Sequence, residues 1–327
     1  WGTPTAFFSG AIDDVPNICS GGGAVHITYR SGTNGVIKWA TISGTTITLA
    51  SGGDLFNHGG SYSSPMGYRC AYDTANNYVM VFYSGGSGTQ TAYVQPMYYN
   101  SSAGSYTGST SSIVKSSIQI LTQVSEIVYD SDTERFVVFY RDTTNSNVGY
   151  ANVIQSTGTS ASPTASVGSA SQFTNGDQII SYGNIGGVYD TQNDKVFIAW
   201  NNTDGSNPSW KGAIITVTGG GTNTIASTGW ADIWDYASGG STGGIAFDSD
   251  KNKIMFYYRD DANSDYLTYK TITSGASSFT VANGAVIKES DNQFQGNSPS
   301  FAPSKNVVLP TRDLGNSNKI SSVTTYF

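Results

Sequence analysis

The chain has 327 residues, 38% of them hydrophobic and only 12% charged, where ordinary soluble domains carry about 25% charged residues. A net charge of −7 without any basic cluster excludes nucleic acid and anionic membrane as partners, and no apolar run approaches the roughly 18 residues of a bilayer span. Three Glu and six Leu against 39 Gly and 21 Tyr exclude a helical bundle; Tyr, Thr, Val and Ile set between polar turns predict an all-β protein.

In chain order, the opening Trp1-Gly2-Thr3-Pro4 has neither an initiator Met nor a signal peptide, so the chain reads as a processed or excised part of a longer product. A repeat follows. Its clear copies hold an aromatic-Asp pair and, ten residues on, an aromatic that ends a hydrophobic run: Tyr72-Asp73 with Phe82-Tyr83, Tyr129-Asp130 with Phe139-Tyr140, Tyr189-Asp190 with Ala199-Trp200, and Phe247-Asp248 with Tyr257-Tyr258. The anchor aspartates are 57, 60 and 58 residues apart. A degenerate copy precedes them, with Ala24 to Tyr29 as the run and Cys19 in the place of the aspartate. Another follows them, Asn306 to Thr311, continued by Arg312-Asp313 as Tyr140 is by Arg141-Asp142 and Tyr258 by Arg259-Asp260. The count is six repeats of 53–60 residues.

Each repeat reads as four short strands. In the second copy these are Met66–Tyr72, Tyr78–Tyr83, Thr91–Tyr98 and a stretch from about Ser109 to Lys115, with a turn at Asp73–Asn77. Runs such as Phe136–Tyr140 and Ile254–Tyr258 are apolar on both faces, as strands of a sheet stacked between two neighbours must be. Four-stranded repeats of this length are the signature of a β-propeller. A glycine opens each fourth-strand segment (Gly52, Gly108, Gly168, Gly229, Gly284), but the sixth repeat ends after its third strand, Lys319–Phe327. Gly2 to Phe8 resembles a fourth-strand segment with no blade of its own. The expectation is one domain, 1–327, a six-bladed propeller whose ring is closed by residues 1–9 completing blade six, which hides otherwise open edges.

The tandem pattern, clearest in Val128-Tyr-Asp-Ser-Asp-Thr-Glu-Arg-Phe-Val-Val-Phe-Tyr-Arg-Asp-Thr-Thr-Asn-Ser-Asn147 and repeated from Ala246 to Asp265, resembles the repeats of tail-fibre and other virion surface proteins of marine and aquatic viruses. Similar repeats occur in bacterial surface proteins. The resemblance runs repeat by repeat over essentially the whole chain, and the first and last copies depart from it. It implies a virion-surface or extracellular location, a binding role towards a host surface glycan or protein, and contact with other virion proteins through flanking segments. It carries over no catalytic residue. The other readings are a structural or assembly module without a ligand, and a secreted bacterial lectin, adhesin or hydrolase.

The residues themselves point the same way. Asp73, Asp130, Asp190 and Asp248 stand between strands and are followed by Asn or Asp, residues that bond turn amides, so they read as scaffold rather than as metal or catalytic groups. Glu126, Glu134 and Glu289 fall in unrelated places, where a glycosidase needs a positioned carboxylate pair. Six Arg are scattered over separate blades. His26 and His58 have no ligand-spaced partner for zinc, and no Gly-rich segment opens a helix as a phosphate cradle would. The expectation is no enzyme, no metal and no cofactor. Cys19 and Cys70 are a disulfide or two buried thiols, and the sequence leaves both open.

Ligand residues are sought where the repeat breaks. Strand parity puts the strand-two-to-three connections and the interblade links on one face. There the loop Asn201–Trp210, the segment Asp260–Tyr266 and the link Phe56-Asn-His58 would gather His58, Asp204, Asn207, Trp210 and Tyr266 into a polar, aromatic surface suited to sugar. The competing reading is that Trp210 and Tyr266 begin third strands and pack between blades. Trp200 and Trp234 read as core, and Trp230 has no packing counterpart.

Overall fold

The second strand of each repeat organises the molecule. In a computed structural model, which describes residues 16–32, 34–44, 46–50, 54–56, 68–85, 90–108, 111–118, 125–180, 184–202, 209–220, 223–235, 243–260, 266–288, 300–302, 306–313 and 319–325, Tyr78–Gly85 is buried at every position. Arg135–Asp142 and Lys195–Asn202 are buried at every position but the first. Both faces of these strands are covered because each sheet lies between two others. Val128, Phe139, Ile198 and Trp200 share one core between the third and fourth sheets, and equivalent cores fill the junctions on either side. Fully burying one such side chain is worth about 1.5–3 kcal/mol, so the junctions between sheets hold the fold.

The chain forms an all-β propeller of antiparallel blades, and no helix occurs among the described residues. Blade one comprises Asn17–Gly21, Ala24–Ser31 and Asn34–Ser43, with an outer strand in two pieces, Thr46–Leu49 and Asp54–Phe56. Blade two comprises Arg69–Asp73, Tyr78–Gly85 and Gln90–Asn100, with Ser105–Gly108 and Ser112–Ile118 outside. Blade three comprises Ser125–Asp130, Arg135–Asp142 and Val148–Thr159, with Ser162–Val167 and Ser171–Gln172 outside. Blade four is Ile185–Asp190, Lys195–Asn202, Ser209–Thr218 and Thr224–Asp235; blade five is Gly243–Asp248, Lys253–Asp260, Tyr266–Ser274 and Phe279–Lys288. The first-named strand of each blade lies beside that of the next, forming the inner wall.

Two expectations are corrected here. Among the described residues five blades are complete, where six were expected: the last repeat contributes a three-stranded sheet, Ser300–Ala302, Asn306–Asp313 and Lys319–Thr325, and residues 1–9 lie outside the described residues. Second, the outer strands begin earlier than the glycines suggested. Gly108, Gly168, Gly229 and Gly284 sit where the outer strand breaks or bulges rather than at its start. The reason is a close approach. A Cβ on Gly168 would lie 2.0 Å from the carbonyl oxygen of Asn223, at the tip of the strand-three-to-four hairpin of blade four. One on Gly229, at φ +66°, would lie 2.6 Å from the Ser277 carbonyl oxygen in the same hairpin of blade five. Gly168 and Gly229 thus seat the next blade's hairpin, whereas Gly108 and Gly284 lie against the third strand of their own blade, at Met97 and Tyr269.

Candidate binding surface

The inner turns come first, because they fix what the carboxylates do. Asp73 Oδ1 accepts from the amides of Ala75 at 2.9 Å and Asn76 at 3.0 Å. Asp130 accepts from Asp132 and Thr133, Asp190 from Gln192 and Asn193, and Asp248 from Asp250 and Lys251, all between 2.9 and 3.3 Å. Each turn closes on a residue of positive φ: Asn77, Glu134, Asp194 and Asn252, at 61°, 53°, 52° and 53°. Asn and Asp tolerate this conformation; Glu does so less readily. The turns also join blades. The Tyr129 hydroxyl donates to Asp73 Oδ1 across the junction at 2.6 Å, and the Ser274 hydroxyl of blade five donates to Asp190. Of the Arg-Asp pairs, Arg141 bonds Asn147 within its own loop at 2.7 Å, while Asp142 lies 3.6 Å from Lys115 of blade two.

Blade one departs from this pattern. Gly21 pairs with Ala24 as Asp73 pairs with Tyr78, so Gly21, not Cys19, stands at the aspartate position. Its turn is only Gly22-Gly23, at φ 58° and 77°, a two-residue hairpin that needs positive φ at both positions. Gly21 lies flat under the Tyr72 ring, whose Cδ1 would be 1.9 Å from a Cβ there. Tyr72 stacks on His26 at 5.2 Å. The His26 Nε2 faces the Gly21 carbonyl at 3.1 Å, which can only accept, so Nε2 carries the proton and Nδ1 accepts from the Tyr106 hydroxyl at 2.7 Å. Burial lowers the His26 pKa from 6.5 to about 4, against a smaller opposing effect of the Gly21 carbonyl.

On the inner wall, Arg69 of blade two donates to the Ser125 carbonyl of blade three at 3.0 Å. Burial pushes the carboxyl of Glu126 up to about 7, although Arg69 and the Ile127 amide at 2.9 Å favour its charged form. Among the described residues no three His, Cys, Asp or Glu side chains gather as a metal site.

Of the five expected ligand residues, His58, Asp204 and Asn207 lie outside the described residues. Trp210 is 1% exposed and packs edge-on against Phe256 with centroids 4.9 Å apart. It fills the junction between blades four and five instead of facing solvent, because Gly243 opposite leaves room for the indole. Tyr266, half-buried, opens the third strand of blade five opposite Asp260. The structure thus separates Trp210 from any solvent-facing surface.

Among the described residues the exposed aromatic is Trp230. It is 40% exposed, on the outer strand of blade four, and its Nε1 donates to the Phe173 carbonyl of blade three at 2.7 Å. That bond fixes the ring. Nearby, Asp232 pairs in register with Lys211, whose ammonium meets Asp177 of the preceding segment at 3.1 Å. A tight turn carries Asp177, closed by its amide on the Thr174 carbonyl at 3.0 Å, with Asn175 and Gly176 at positive φ. An immobilised, solvent-facing indole beside carboxylates and an ammonium can cover the C–H face of a sugar and bond its hydroxyls. Sequence reading marked Trp230 as the odd tryptophan but not its neighbours: Thr174–Asp177 lies in the link from blade three to blade four, outside the repeated strand pattern.

No protein-family model matches this sequence, and no curated protein matches it. The chain is similar to solved structures of a Lactobacillus plantarum protein (TM-score 0.54, 16% identity, covering 97% of this chain and 87% of that one) and of AofleA from Arthrobotrys oligospora (TM-score 0.52, 10% identity, 97% and 88%). It is also similar to the PQQ-bound aldose sugar dehydrogenase of Streptomyces coelicolor (TM-score 0.51, 13% identity, 95% and 93%). At such identities the likeness is one of fold alone. The class these findings define is the all-β propeller with four-stranded antiparallel blades.

Proposed function

We propose that this propeller is a non-enzymatic binding domain of a virion surface, and that it takes a host surface glycan at the junction of blades three and four. The anchored, exposed Trp230 carries the reading. Its ring is held by the Phe173 carbonyl before any ligand arrives, so stacking a pyranose on it immobilises no further side chain. The repeated aspartates support a binding role over catalysis, because each carboxylate is already engaged by its own turn amides. Glycan-array and host-cell binding of Trp230→Ala test it. Binding should fall at least tenfold, a loss of about 1.4 kcal/mol, with the melting temperature nearly unchanged. A folded Trp230→Ala protein that binds like wild type removes the site from this junction. Failure of the wild type to bind any glycan or host cell puts the assembly-module reading ahead.

We further infer that the ring closes as six blades, with residues 1–9 as the outer strand of the last. The hairpins of blades four and five seat against the preceding blade's outer-strand glycine, and that of blade two seats on Trp39, which donates to the Gly104 carbonyl at 2.7 Å. At the equivalent hairpin of blade one, the cross-strand pair Ile42 and Ile47 is 59% and 41% exposed. Its preceding blade would be blade six, and the seat would come from the N-terminal segment.

A further inference from the structure

The chain has two cysteines, 51 residues apart in sequence, and the fold brings them together. Asn17, Cys19 and Gly21 point to the same side of their strand, the side facing blade two. Asn17 Oδ1 accepts from the Cys70 amide at 2.8 Å, and Gly21 lies against the ring of Tyr72. Cys19, between them, is set opposite the Cys70 side chain. Cys70 lies in the apolar core between blades one and two, and Cys19 packs against that same core. Both are free thiols, with Cys70 buried and Cys19 half-buried.

We propose that Cys19 and Cys70 form a reversible disulfide that staples the inner strand of blade one to that of blade two. The oxidant is a low-molecular-weight disulfide of the glutathione class. The Cys19 thiolate, the more accessible of the two, attacks one sulfur of the oxidant and releases one reduced thiol. The Cys70 thiolate then displaces the second, so two protein thiols and one small disulfide become one protein disulfide and two small thiols. Burial raises the Cys19 pKa well above the ordinary thiol value, so little thiolate is present at neutral pH and the exchange is slow. Its rate should rise close to tenfold per pH unit up to about pH 9. Once formed, the bond closes a long loop of the unfolded chain, where cross-links stabilise most. It also ties down an inner strand whose turn lacks the aspartate.

The test is incubation of the full chain with oxidised glutathione, read by intact mass, free-thiol count and melting temperature. Expected are loss of both thiols together, loss of two hydrogens in mass without added glutathione, a Cys19–Cys70 cross-linked peptide and a melting point several degrees higher, all reversed by dithiothreitol. Cys70→Ala, which lacks the resolving thiol, should stop at a glutathione adduct on Cys19. Wild type that also stops at the adduct, that links between chains, or that keeps both thiols at pH 9 while folded overturns the proposal.

Discussion

Blade one and blades two to five meet the same requirement by different chemistry. Where the inner strand turns back, blades two to five place an aspartate that gathers its own turn amides. Blade one has two glycines, a neutral histidine and a tyrosine stack in that region. The carboxylate turns repeat because each can close on its own amides, needing only Asp at one end and a positive-φ residue at the other; the bonds from Tyr129 and Ser274 of neighbouring blades are added to that closure. The blade-one arrangement is not self-contained. It depends on Tyr72 and Tyr106 from blade two, so it marks a junction rather than a turn. A repeat that departs in sequence has become the partner of its neighbour.

The largest effect should come from exposing the other side of blade one. Deleting residues 1–9 removes the strand proposed to cover Ile42 and Ile47, and should lower stability by several kcal/mol at about 25 cal/mol per Å² of apolar surface. An unchanged melting temperature would sink the closed ring. Titration separates blade one from blade three next. The folded His26 pKa near 4 lies below its ordinary 6.5, so the unfolded chain binds the extra proton between those values. Stability from His26 is complete above 6.5 and is lost as pH falls towards 4, on the order of 3 kcal/mol in all.

Glu126 runs the opposite way. Its folded pKa near 7 lies above 4.5, so the folded state holds the proton and stability is lost as pH rises from 4.5 to 7. The two slopes offset each other from 4.5 to 6.5, leaving that stretch of the wild-type curve nearly flat for these groups. Glu126→Gln should unmask the histidine slope, with a gain over wild type that grows to about 3 kcal/mol by pH 7.5. Urea melts across this range check it; a gain independent of pH would mean that Glu126 does not hold its proton. The smallest effect lies within the aspartate turns. Glu134 stands where the other three turns have Asn or Asp at positive φ, so Glu134→Asn should stabilise by about 0.5–1 kcal/mol. Destabilisation on denaturant unfolding would show that the Glu134 side chain contributes more than its backbone strain costs.

The sequence by itself determined the all-β class, the repeat and the turns. Those are local properties: a strand apolar on both faces has to be sandwiched, and Asp followed by Asn or Asp makes a turn wherever it stands. It also exposed Trp230 as an anomaly, through a missing counterpart. What tertiary structure alone decided were contacts between residues far apart in the chain. Trp200 and Trp210 look alike in composition to Trp230, yet both are buried. At the position of Trp200, Tyr83 and Tyr140 bond Gln95 at 3.4 Å and Asn152 at 2.8 Å, whereas Ala213 replaces those amides in blade four and makes room for the larger ring. The register of blade one shifted because a four-residue turn became two glycines, which strand pairing reveals and residue counting does not. Cys19 and Cys70 illustrate the same limit: their spacing says nothing, and only the side-by-side packing of two inner strands sets one thiol against the other.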